Sequence, residues 1–547
     1  MTARKMAMLA AWFPLFVFPM SALAQPKTPT PPKKPTTKTI DPKNAPKTQA
    51  GSTTATTPTA KPTAAQVAAA AAVPLKLDLK LDVRRKTLSN GLRVVLAPDA
   101  TSPTIAVDVV YDVGSRVEER GHSGFAHLFE HMMFQGSANV PKGGHFLFIT
   151  SHGGQMNGTT NQDRTNYFEM LPQSELPLAL WLEADRMKSL DVSEANFENQ
   201  RSVVKEEYRM RVENAAYVPA EIRAQELAYQ GYFPYEHATI GSMRDLDAAQ
   251  IDWVRKFHDE YYAPNNAVLS VAGDFDPDVA MNLIEKYFSS AKPVTIPKFD
   301  VGAVPPQTAP RDEVVEDAHA KLPAFFDGWV IPENRSPEHY ALALAGNILT
   351  DGESSRLYRS LVRERAVAVS VEAGTNDFRG PDWFEIEAKL ATGAKLADVE
   401  KQVDSAIATL GSKGPTEAEL TKAKTRFMSH YVMGLQSNFA RAQKLAEFEV
   451  YWGDANLLNQ EAAKYLAVTA DDIKKAVAKY LTKERRSRVE VRPAATAPAT
   501  AKTTTPVATT KATSKPKTNV QTNVTHPMPD QPGSRAPKAA VKPGATK

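Results

Sequence analysis

Gly124-Phe-Ala-His-Leu-Phe-Glu-His-Met-Met-Phe134 holds His127, Glu130 and His131 in the order H-x-x-E-H. The run of apolar residues around them reads as a helix, and on a helix residues four apart stand one above the other on one face. His127 and His131 can therefore aim two imidazoles at one divalent ion. Glu130, three positions after His127, lies at the margin of that face. A His/Glu/His cluster also occurs on solvated helices, so the surrounding chain has to decide between the two readings.

This order inverts the H-E-x-x-H motif of zinc peptidases. The chemistry is the same either way round: neutral imidazoles hold the metal and a carboxylate handles a proton of the water it activates. At 547 residues the chain is too long for one core, so two or more domains are expected. The net charge of +4 conceals an asymmetry: residues 25–72 carry +6, residues 493–547 carry +7 and Arg4 with Lys5 add +2, which leaves about −11 for residues 73–492. An acidic body argues against nucleic acid as a partner. The absence of cysteine excludes disulfides, thiolate ligands, a cysteine nucleophile and a bacterial lipoprotein anchor.

Outward from the helix, residues 1–24 read as a secretory signal: Arg4 and Lys5, an apolar run from Met6 to Met20, then Ala22-Leu-Ala24 as a small-x-small cleavage site. That run is short for a membrane span and no later stretch is as apolar. The expectation is an exported chain, periplasmic or secreted, without a transmembrane segment once processed. Residues 25–72 and 493–547 are rich in Pro, Thr, Lys and Ala and read as a disordered linker and a basic tail.

Between them, Leu88 to Leu96 has a hairpin signal with Asn90-Gly91 at its turn, and Ile105 to Tyr111 alternates as a strand with one wet face. Helices are expected over 172–190, 195–213, 247–261 and 277–288, and a buried strand over 266–273. A second strand-and-helix cycle runs from Ala324 to a last strand at Ser487–Val491. The fold class that follows is α+β: two related domains, each an antiparallel or mixed sheet packed with helices, at 73–295 and 321–492, joined by a Pro-rich connection at 296–320.

Several blocks, in order, resemble the pitrilysin family of inverted-motif zinc peptidases over roughly residues 85–492. They are Ser89-Asn-Gly-Leu92, Gly124 to His131, Asn157-Gly-Thr-Thr-Asn-Gln-Asp163 before Tyr167, Arg201-Ser-Val-Val-Lys-Glu-Glu207, Gly241-Ser242, Tyr261-Tyr-Ala-Pro-Asn-Asn266 with Gly273-Asp274, and Ser355-Arg-Leu-Tyr358. The resemblance implies a zinc endopeptidase acting on peptides or unfolded segments. Its Zn2+ would be held by His127, His131 and Glu207, a Glu 76 positions past His131, with Glu206 as the fallback. Manganese or cobalt also suit such donors. Glu130 would be the general base. Asn157, Gly158 and Thr159 would bind substrate laid as a strand along a sheet edge.

Two departures stand out. Gln200 replaces a second Glu seven positions before Glu207, and Val362 and Val369 stand where relatives with a complete site carry an Arg and a Tyr; Arg363 is one position off. Some relatives divide the site between a zinc-bearing chain and a zinc-less partner of the same family that supplies this pair. The chain is therefore expected to be the zinc-bearing half of a heterodimer. The alternatives are a non-catalytic scaffold and an autonomous peptidase with a different electrophile.

Overall fold

A computed structural model describes residues 80–494. The expected signal and linker lie outside the described residues, as does the basic tail apart from Pro493 and Ala494. The first half runs β1 (Arg84–Thr87), β2 (Arg93–Pro98), β3 (Thr104–Tyr111), α1 (Phe125–Met132), α2 (Gly144–Ser151), β4 (Gln155–Thr160), β5 (Thr165–Pro172), α3 (Leu176–Ser189), α4 (Glu194–Tyr208), α5 (Val218–Ala228), α6 (Phe233–Glu236), α7 (Met243–Ala248), α8 (Ile251–Tyr261), β6 (Ala267–Gly273) and α9 (Pro277–Phe288). The second runs β7 (Arg311–Asp317), β8 (Ala324–Glu333), α10 (Pro337–Thr350), β9 (Ala368–Thr375), β10 (Pro381–Leu390), α11 (Leu396–Lys413), α12 (Glu417–Gly434), α13 (Asn438–Trp452), α14 (Leu458–Ala467), α15 (Ala470–Tyr480) and β11 (Ser487–Pro493).

The sheets have the orders β1-β2-β6-β3-β5-β4 and β7-β11-β8-β10-β9. With β1 set aside they share one topology. β2 pairs parallel with β6 as β7 does with β11, and every other pairing is antiparallel. The fold class is α+β with a repeated unit. β7 lies inside the stretch read as a connection, so the linking segment ends by Arg311.

The strand expected to have one wet face is buried on both. Ile105, Val107 and Val109 of β3 enter a core with Leu128 of α1, Leu180 of α3 and Ile284 of α9. Its other face, with Ala106 and Val110, packs under Ala442, Leu445 and Ala446 of α13 from the second half. The exchange is mutual: α5 of the first half lays Ala220, Ala224 and Leu227 against Phe326 of β8, Trp383 of β10 and Val489 of β11. Local alternation registered Asp108 as a solvent position because it cannot see a helix arriving from more than 300 residues away.

Candidate active site

α1 starts at Gly124, whose φ of 91° places it in the left-handed region, and buries every residue from Phe125 to Met132 except His131. The imidazoles of His127 and His131 stand with ring centroids 4.9 Å apart, nearly perpendicular. α4 brings Glu207 to them from its last turn: Oε2 is 3.3 Å from His131 Nε2 and 3.9 Å from His127 Nε2. One donor atom from each of the three lies within 4.8 Å of the others. Glu206, one position earlier, is turned to solvent and pairs with Arg209 at 2.9 Å, as the roughly 100° step between helix neighbours requires.

The electrostatics suit ligands. Burial, reinforced by the neighbouring His131, lowers His127 to about 3, so its imidazole is neutral. Burial would raise Glu207, but the His131 hydrogen bond and the positive charge around it, that of Arg211 included, bring it down to about 2. Two nitrogens and one carboxylate oxygen form a donor set that zinc accepts, with a fourth position left for water or substrate. After α4 the helix widens into a π turn at Arg209–Glu213. There Arg211 Nε lies 3.0 Å from Glu207 Oε1, the oxygen turned away from the histidines. Gln200, two turns before Glu207, stands on the His131 side of α4 and donates from Nε2 to Asn199 Oδ1 at 2.9 Å.

Glu130 sits between α1 and β4. Burial raises its pKa, and its Oε2 accepts a hydrogen bond from Thr160 Oγ1 at 2.6 Å. β4 is the outer strand of its sheet. Asn161 N donates to Arg164 O at 3.0 Å, which makes the hairpin's closing pair a hydrogen-bonded one. Alternation from there makes Thr159 and Asn166 the next such pair. The main-chain groups of Gly158 and Thr160 then point to the side that carries no strand. Asn157 Oδ1 accepts from Gly158 N at 2.9 Å on that side. The Thr159 hydroxyl instead bonds to Asn166 and Arg164, on the face away from Glu130. Thr160 is thus the threonine that meets the base.

In the second half, Val362 lies in a π-helical segment at Tyr358–Glu364 and Val369 is exposed on the outer strand β9. Arg363 pairs with Glu353 and Arg359 with Glu364. A second group of donors is His339, Asp377 and Asp382, two of which form a buried structural pair. His339 Nε2 bonds Asp382 at 2.8 Å, and that carboxylate also takes the amides of Asp377 and Phe378.

Sequence reasoning missed Thr160 and Arg211. The available signals were Thr160's place two residues after Gly158 on one strand face, and Arg211's place four after Glu207 on one helix face.

Comparison with known proteins adds the following. The family described as "Insulinase (Peptidase family M16)" matches residues 93–232, and "Peptidase M16 inactive domain" matches residues 249–427. The zinc protease PqqE of Helicobacter pylori is 30% identical over 415 residues, covering 74% of this chain and 92% of the relative. The mitochondrial-processing peptidase subunit beta of Lentinula edodes is 24% identical over 411 residues, covering 72% of this chain and 86% of the relative. Among solved structures, a protease from Helicobacter pylori superposes with a TM-score of 0.71 at 29% identity, covering 76% of this chain and all of that one. The periplasmic protease PqqL of Escherichia coli superposes with a TM-score of 0.64 at 18% identity, covering 76% of this chain and 48% of that one.

Proposed function

The chain belongs to the M16 family of zinc proteases, and from that premise we propose that it is an endopeptidase for peptides and unfolded segments, with Glu130 as its general base. The observation that carries this reading is the convergence of His127, His131 and Glu207 beside Glu130 and an outer strand. Zinc bound there would polarise the scissile carbonyl and acidify water. Glu130 takes the proton of the attacking water on its carboxylate and returns it to the leaving nitrogen. The Thr160 bond to Oε2 leaves Oε1 to do this, and a raised pKa brings the group nearer the working pH. An extended substrate would pair with the outward main-chain groups of Gly158, displacing the Asn157 side chain that now occupies its N–H.

The Glu130→Gln variant is expected to bind one zinc per chain as the parent does and to lose cleavage of an unstructured peptide by at least about 100-fold. Parental activity in that variant refutes the role.

We further read the chain as one subunit of a divided site, exported to the periplasm or beyond. Valine at both 362 and 369 supports the first part, as does the likeness to a protein named as a subunit. The basic, apolar and Ala22-Leu-Ala24 segments of residues 1–24 support the second, and among the described residues no helix is long and apolar enough to cross a membrane. Purified alone, the chain is expected to bind zinc and cleave poorly, and to gain activity together with a zinc-less relative in a complex seen by gel filtration. Full activity of the isolated chain would remove the need for a partner.

A further inference from the structure

α1 has no side-chain cap of its own, because the residue at its N-cap is Gly124. The free N–H groups at a helix start need acceptors. Two of them find one remote carboxylate. Glu118 Oε2 accepts from Gly124 N at 2.9 Å, and Glu118 Oε1 from Ala126 N at 2.7 Å, one residue before His127. Glu118 is buried and takes a third bond, from His237 Nε2 at 2.9 Å. The other ring nitrogen of His237, Nδ1, is 2.7 Å from the Phe233 carbonyl oxygen. Both nitrogens thus face acceptors. A neutral imidazole has only one N–H, so satisfying both requires the imidazolium.

The stretch after His237 closes on the same helix start. Ser123 N donates to Asp245 Oδ2 at 3.0 Å and Ser242 N to Ser123 Oγ at 3.1 Å. A Cβ on Gly241 would run into the Ser123 carbonyl. The Gly241-Ser242 block therefore belongs to the seat of the metal helix rather than to its chemistry.

We infer that Glu118 and His237 are positioning residues of the metal centre: an imidazolium–carboxylate pair that fixes the first turn of α1 and, through it, the direction of the His127 ring. A negative group at this end also opposes the helix dipole favourably. The inference rests on the zinc reading above. Neither residue reaches the three ligands, so each acts only through the backbone of α1.

The test uses the full chain with E118Q and H237Q, separately and together. Zinc affinity is measured by chelator competition, and site geometry by the visible spectrum of the Co2+-loaded protein. Each variant is expected to bind zinc about tenfold more weakly and to shift the cobalt bands. The double variant should lose no more than either single one, because the two residues form one device. Affinities within twofold of the parent and unchanged spectra in the variants overturn the inference and leave a pair that only stabilises the fold. If one variant does not fold, the other decides. A parent chain that takes up no zinc overturns both the zinc reading and this inference, whereas a zinc-binding parent matched by its variants overturns the inference alone.

Discussion

Gly158 occupies a place where a side chain would have to share space with the base. A Cβ there would stand 3.1 Å from Glu130 Cγ, Phe134 Cζ and Tyr167 Cδ1. The Gly158→Val variant should therefore displace Glu130 and lower kcat by about tenfold or more while zinc content stays at parental level; an unchanged kcat would show that the neighbours yield freely. His145 gives a second prediction. It is fully buried, neither ring nitrogen has a hydrogen-bond partner, and burial lowers its pKa from 6.5 to about 3. The folded state refuses a proton that the unfolded chain accepts. Stability is therefore full above about pH 6.5 and falls as the pH drops from there towards about 3, by up to about 1.4 kcal/mol per unit. The His145→Leu variant should flatten this acid limb in urea titrations at pH 7 and pH 5; an identical pH dependence in parent and variant would exclude it as the cause. At this scale the four-residue spacing of His127 and His131 told that both rings share one helix face, and the rest of the chain had to say what they are for. Glu207 needed the family resemblance, because nothing local ties a residue 76 positions on to the same ion. Thr160 shares a strand face with Gly158 but a lone hydroxyl there does not say what it meets, and Glu118, which only holds backbone amides, carries no spacing signature.

α13 shows what the elements add. Its residues Ala442, Leu445 and Ala446 are fully buried against β2, β3 and β6. The Leu445→Ala variant is expected to cost about 2–5 kcal/mol, read as a lower urea midpoint with an unchanged slope; a cost below about 1 kcal/mol would mean that the face is loosely covered. The elements that sequence reasoning located well carry their signal within their own residues, such as β6, apolar enough to be buried at all seven positions, and the capped α9, where Asp276 accepts from the amides of Asp278 and Val279. The ones it missed lack that signature. α5 packs through Ala220, Ala224 and Ala228, small residues that leave little apolar periodicity. α2 is a short apolar run between glycines and could be read as strand or helix. β7 sets Val314 and Val315 side by side among charged residues, without alternation, and gains its identity only by pairing with β11.

For the molecule as a whole, the repeated topology was suggested by the strand-and-helix cycles, whereas the mutual covering of the two sheets by α5 and α13 was not. That exchange joins the cores of the halves, so calorimetry is expected to record one cooperative transition for residues 80–494, and Leu445→Ala should move it intact. Two separable transitions would show that each half is stable without the other's helix.

The same exchange changes what the Pro-rich stretch before Arg311 can be. It is largely exposed and is the shortest tie between the halves, yet it is a tether and not a pivot. A protease that nicked it would leave two polypeptides still clasping each other. A gene broken at that point would encode partners that must find one another to fold. The first half cannot swing away from the second to admit a substrate, so any gate over β4 has to be built from something this chain does not hinge upon: another molecule, or the substrate's own threading.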